Sequence, residues 1–247
     1  MLAILKLLFN YWKRSFAWIF SFIFPLLTLL IFKNFTSVNA LLPNFLVSTA
    51  LSNGVFGLAI TYYDLKNSVI MKKIRATPLP QWKVVGGIIT FNTLISLLGG
   101  IWVFFMGSIF CRSEMTFSHV NWFYLLIALL LATLTGSLIG FLLGSAAPDL
   151  RTAGNLAFFI NTPSNFLAGI FVPMNILLKN ETLSWIAKFF PYSYPVSIAN
   201  HAFSHSNFTA IQNQLLFQTY HWPTFFSLIW ISGLFGLNLL VYRSQKY

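Results

Sequence analysis

Five stretches of this chain run without a single Asp, Glu, Lys or Arg: Asn34 to Tyr63, Val84 to Cys111, Met115 to Pro148, Thr152 to Leu178 and Phe189 to Tyr242. Each exceeds the roughly 20 residues that a helix needs to cross hydrocarbon. Lipid offers no partner to backbone N–H and C=O groups, and none of the stretches shows the period-2 alternation of a membrane barrel, so helices are the expected conformer throughout. Only 8% of the 247 residues are charged, whereas soluble domains carry about a quarter. The expected fold is therefore all-α and integral to the membrane, a single transmembrane domain over residues 1–247 with no soluble domain.

Hydropathy and punctuation place six spans at about 16–32, 42–63, 84–110, 122–147, 155–176 and 222–242. Ahead of them, Leu2, Leu5, Phe9 and Trp12 share one helical face while Lys6, Lys13 and Arg14 fall largely elsewhere, which reads as an interfacial amphipathic helix. Pro25 sits inside the first span, where neighbouring helices can satisfy the carbonyl it frees. Ala132, Gly136, Gly140 and Gly144 recur at every fourth position of the fourth span, a pattern that lets helix backbones approach closely. The fifth span is expected to be interrupted by the polar run Asn161-Thr162-Pro163-Ser164-Asn165 and to resume as far as Ile176. Between Leu177 and His221 the chain mixes aromatic patches, prolines and amides, and is expected to dip into the outer leaflet without crossing it.

Eleven of the fifteen Lys and Arg residues fall on the side that holds both termini and the 64–83 loop, and only Lys33, Arg112, Lys179 and Lys188 fall on the other. The positive-inside rule then places both ends in the cytoplasm, which an even number of spans requires. The formal charge of +11 is thus explained by topology, since the basic residues are scattered between apolar spans instead of gathered on a face for nucleic acid. The single cysteine, Cys111, can form no intrachain disulfide.

Little in the sequence speaks for covalent chemistry. No G-x-x-x-x-G-K-[ST] phosphate loop is present, so ATP-driven work would need a nucleotide-binding partner. The four acidic residues, Asp64, Glu114, Asp149 and Glu181, lie at span ends or in loops, which argues against a proton relay at the midplane. His201 and His205 have the i, i+4 spacing of a ligand pair, but no H-E-x-x-H motif and no third ligand accompany them, so no metal site is assigned. Asn53, Asn92, Asn161 and Asn165 lie within spans and are the candidates for lining a translocation pathway; helix-to-helix hydrogen bonding is the competing reading for each.

The 64–83 loop holds more than topology requires. Val69, Ile70, Met71 and Ile74 are apolar among Lys66, Lys72, Lys73 and Arg75, which makes a short amphipathic helix ending before Pro78. Such a helix either lies on anionic lipid or docks into a soluble partner. The stretch MKKIRATPLPQWKVV, Met71 to Val85, resembles the cytoplasmic loop of bacterial ABC-2 type transporter permeases, and FLAGIFVPMNILLKNETLSWIAKFFPYSYPV, Phe166 to Val196, resembles the end of that family's fifth span, its outer re-entrant segment and its Pro-x-Ser/Thr-Tyr element. Where many relatives carry Glu-Arg/Lys-Glu at the end of the second span, this chain reads Tyr63-Asp64-Leu65-Lys66-Asn67.

The resemblance implies the membrane subunit of an ABC exporter in a bacterial plasma membrane, moving a drug, antimicrobial peptide, lipid-linked or other amphiphilic compound. It implies a second permease copy, identical or related, and two cytoplasmic ABC ATPase subunits, with ATP and Mg held by those partners and no cofactor or catalysis in this chain. By the same resemblance Met71, Lys72, Lys73, Ile74, Arg75, Ala76 and Thr77 would form a coupling helix that touches the ATPase. A stand-alone ion-coupled carrier or channel would show midplane charge, and a membrane sensor or immunity protein would need no continuous polar pathway; these are the alternatives.

Overall fold

The computed structural model describes residues 8–9, 22–23, 26–27, 30–31, 38–76, 80–110, 120–170, 177–204, 216–217 and 219–244. Most of the expected interfacial helix and of the first span, the end of the fifth expected span and His205 lie outside them.

Everything regular among the described residues is helical. The chain forms α1 (Val38–Asn67), α2 (Val69–Ala76), α3 (Gln81–Phe110), α4 (Trp122–Ala146), α5 (Leu150–Leu167), α6 (Glu181–Phe189), α7 (Ser193–Ser204) and α8 (His221–Ser244). Among the described residues four stretches are long and apolar enough to cross a membrane: Leu42–Asn67, Gln81–Phe110, Trp122–Ala146 and His221–Ser244. At about 1.5 Å per residue, the 30 residues of α1 reach about 45 Å, so this helix outruns a hydrocarbon core of about 30 Å.

The two most buried of the spans occupy the middle of the bundle. These are α1 and α4, and glycine sets their spacing. A Cβ added at Gly136 would stand 2.5 Å from the Leu51 carbonyl oxygen, one at Gly140 2.6 Å from that of Val55, and one at Gly144 2.5 Å from that of Ala59. The small residues of α4 therefore face the backbone of α1 along three turns, and Gly54 faces Gly136 in return. Asn238 of α8 donates to the Leu138 carbonyl at 3.1 Å, which fixes the last helix to α4.

Outward positions carry large apolar side chains, the reverse of a soluble protein. On α3, Leu94, Leu98, Ile101, Phe105 and Ile109 make an exposed stripe. Among the described residues no Asp, Glu, Lys or Arg side chain is buried. Trp122 and Trp222 are exposed at the starts of α4 and α8, and Trp82 near the start of α3, positions suited to the two membrane-water interfaces.

The structure departs from the sequence expectation on α5. The polar run from Asn161 to Asn165 does not interrupt it; the helix passes through Pro163 unbroken and begins at Leu150 instead of Asn155. It ends at Leu167, and residues 171–176 of the expected span lie outside the described ones. Gly169 adopts φ 79°, its N–H reaches the Phe166 carbonyl at 3.2 Å, and the Ile170 N–H reaches Asn165 at 3.1 Å. This is a Schellman termination, which glycine permits at no steric cost.

Candidate functional site

Ser68 makes the joint between α1 and α2. Its N–H bonds the Leu65 carbonyl at 3.0 Å, its hydroxyl donates to the same oxygen at 2.7 Å, and that hydroxyl accepts the Met71 N–H at 3.3 Å. A serine in this place satisfies backbone groups that the helix start would leave orphaned. The amphipathic helix then turns its apolar side inward: Met71 is fully buried and Ile74 nearly so, in a cluster with Tyr62, Leu65, Val84, Val85, Phe141 and Tyr242.

Met71 and Ile74 therefore hold α2 against its own bundle and offer little surface to another protein. Val69 is 65% exposed and Lys72 is exposed, so these two form the described part of the outward side. The side chains of Lys73, Arg75 and Ala76, and the whole of Thr77, lie outside the described residues.

The chain beside this joint is fastened to the elbow between α4 and α5. Lys66 Nζ donates to the carbonyls of Ala147 at 2.8 Å, Ser145 at 3.1 Å and Gly144 at 3.3 Å. The last carbonyls of a helix lack intrahelical partners and carry the negative end of its dipole, so an ammonium group there satisfies both needs. Tyr63 donates its hydroxyl to the Pro148 carbonyl at 3.1 Å. Asp149 then caps α5, accepting from the Thr152 N–H at 2.7 Å and from its hydroxyl at 2.8 Å. Those bonds to Thr152, the backbone one foremost, lower the Asp149 pKa from its usual 3.8. A lowered carboxylate stabilises the fold above its unfolded pKa and loses that contribution only as pH falls through the folded value, so the cap is complete at neutral pH.

The intramembrane amides occupy two buried seams. Asn92 of α3 donates to the Gly54 carbonyl at 3.1 Å and to the Ser137 hydroxyl at 2.8 Å, tying three helices together where α1 and α4 meet most closely. Thr93 adds a donation to Ser137 at 3.4 Å. Asn53 is buried on α1 beside Gly54 in sequence. Removing the Asn92 donor by Asn92→Leu is expected to cost about 0.6–1.7 kcal/mol, between the average and the largest value found for hydrogen bonds between membrane helices, read as a lower thermal midpoint of the purified chain.

The second seam is a ladder between α1 and α5. Asn44 donates to the Gly169 carbonyl at 3.2 Å, Ser48 to Asn165 Oδ1 at 3.4 Å, and Ser52 exchanges bonds with Asn161 at 3.0 and 3.4 Å. The two helices are antiparallel, and each rung steps four residues along both. Tyr192 adds a hydroxyl donated to Asn161 Oδ1 at 3.3 Å from the turn that precedes α7. Asn161 and Asn165 are among the amides expected from sequence; Asn44, Ser48 and Ser52 are not, although their own i, i+4, i+8 spacing is visible there. All four candidate pathway amides are thus buried inside one copy of the chain, between 3 and 7% exposure, and Asn92, Asn161 and Asn165 bond across helices.

Beyond α5, the chain makes two short helices. At 12 residues α7 is too short to cross a bilayer, yet it is buried against α1, α4 and α8. Its Ala202 carbonyl accepts the Asn121 N–H at 2.9 Å, next to the start of α4. His201 bonds the Phe217 carbonyl through Nε2 at 2.8 Å. Among the described residues no three His, Cys, Asp or Glu side chains come together as a metal site would require.

The family model for the ABC-2 type transporter matches residues 2–204 of the chain. No curated protein and no solved structure matches it.

Proposed function

The chain belongs to the ABC-2 type transporter family, and from that premise we propose that it is the permease subunit of an ATP-driven exporter in a bacterial plasma membrane. A cytoplasmic ABC ATPase dimer would supply hydrolysis, with ATP and Mg bound there, and a second permease copy would complete the pathway. Both termini would be cytoplasmic and the α6–α7 segment would re-enter the outer leaflet.

The observation that carries this reading is α2. It is a short helix held rigidly between two membrane-spanning helices, with its apolar side locked into the bundle and Val69 and Lys72 directed away from it. A helix mounted in this way can convert a tilt of a bound ATPase into motion of the bundle. An amphiphilic cargo suits the open side of α5, where Asn155 is exposed near Phe158 and Phe159, with Phe166 exposed farther along the helix.

Mild-detergent purification of the tagged chain from its native membrane is expected to bring down an ABC ATPase in stoichiometric amount, with vanadate-sensitive hydrolysis. A Lys72→Glu variant should keep the fold and lose most of that partner. Recovery of a clean chain without ATPase activity would turn the reading toward a carrier or a sensor.

A further inference from the structure

The contacts around Lys66 join the cytoplasmic end of α1, and α2 with it, to the α4–α5 elbow. One ammonium group holds three carbonyls on the α4 side of that elbow, and Tyr63 holds the Pro148 carbonyl next to it. The Lys66 ammonium also lies 5.0 Å from the centre of the Tyr63 ring, so the two side chains act from one turn of α1. Only Ala147, Pro148 and Asp149 separate α4 from α5, and Asp149 caps α5 directly. On its other side the same turn of α1 leads within two residues into the Ser68 joint and α2.

We infer that Lys66 is a positioning residue that carries displacement of α2 to α5. A push on α2 reaches α1 through Ser68 and the buried Met71, and Lys66 then compels the elbow, and so the start of α5, to follow. The bonds from Asn44, Ser48 and Ser52 also join α1 to α5, but they lie at the far half of that helix, away from the elbow. The inference rests on α2 being the ATPase contact.

The test reads each end of the link separately. In a Cys111→Ser background, single cysteines replace the exposed Val69 on α2 or the exposed Leu150 at the start of α5, and thiol alkylation rates are compared without nucleotide and after trapping with ATP and vanadate. The complex with the co-purifying ATPase is used throughout. With Lys66 present, both sites should change rate by about threefold or more. Lys66→Met should abolish the change at position 150 and keep it at 69, and Lys66→Arg, which restores a cation with several N–H donors, should recover it. Tyr63→Phe removes only the bond to Pro148 and should diminish the response at 150, which decides the matter if Lys66→Met fails to assemble. An undiminished response at 150 in Lys66→Met, or in Tyr63→Phe where Lys66→Met does not assemble, overturns the inference and leaves the exporter reading standing. Silence at both sites with Lys66 in place overturns the exporter reading and this inference with it.

Discussion

Replacing Gly140 by valine is expected to remove most of the folded chain from the membrane. The Cβ alone would sit 2.6 Å from the Val55 carbonyl oxygen and 2.7 Å from that of Gly54, distances that real Cβ atoms do not keep. Both obstacles are backbone of the buried α1, so no flexible side chain can swing aside. Overpacking a well-filled core costs about 1–3 kcal/mol even where side chains can adjust, and here two helices must separate along a contact that also holds Gly136 and Gly144. The yield of monodisperse protein should fall at least about tenfold, the ratio that 1.4 kcal/mol gives, and Gly140→Ala should fall part of the way. Gly233→Ala on α8, where a Cβ would meet nothing within 4 Å, should leave the yield unchanged. Equal yields for Gly140→Ala and Gly233→Ala would show that α1 and α4 do not approach this closely.

The second large effect falls on α2. From its sequence this helix invites the idea that Ile74→Asp would place charge on a docking face and uncouple the ATPase. In the fold Ile74 is 9% exposed, in one cluster with Met71, Leu65, Tyr62 and Val84. An aspartate there would be a nearly buried charge in an apolar cluster. Burial without a partner costs several kcal/mol or forces the group to take up a proton. Ile74→Asp should therefore lower the amount of assembled chain and its thermal midpoint, whereas Lys72→Glu, on the outward side, should leave both unchanged and weaken only the ATPase interaction. Parallel measurement of yield and of ATPase recovery for the two variants separates these effects. A stable Ile74→Asp chain that has lost only its partner would mean that α2 presents its apolar side outward after all.

Much of this was open to reading from residues alone, for a physical reason. A bilayer admits few solutions for the backbone, so long uncharged stretches announce helices, and the described spans at α1, α3, α4 and α8 overlap those expected at 42–63, 84–110, 122–147 and 222–242. The small-residue row on α4 was visible too, because only close helix approach rewards a glycine or alanine at every fourth position of an apolar helix. The end of α5 was harder. Hydropathy continues past Gly169 to Ile176, and nothing in a hydropathy pattern distinguishes a glycine that packs from one that adopts a positive φ and terminates a helix.

Sequence by itself determined the solvent, the helical class, the basic loop with its amphipathic helix and the family resemblance, since each follows from composition or from spacing along one segment. Which way that helix faces, which serines answer Asn161 and Asn165, and what Lys66 holds were decided only by tertiary structure. Those are relations between segments 78 to 117 residues apart, and a side chain's partner across such a distance depends on how helices dock. An amide in a membrane helix must find a partner; the sequence states that need, and the packing of α1 against α4 and α5 states who meets it.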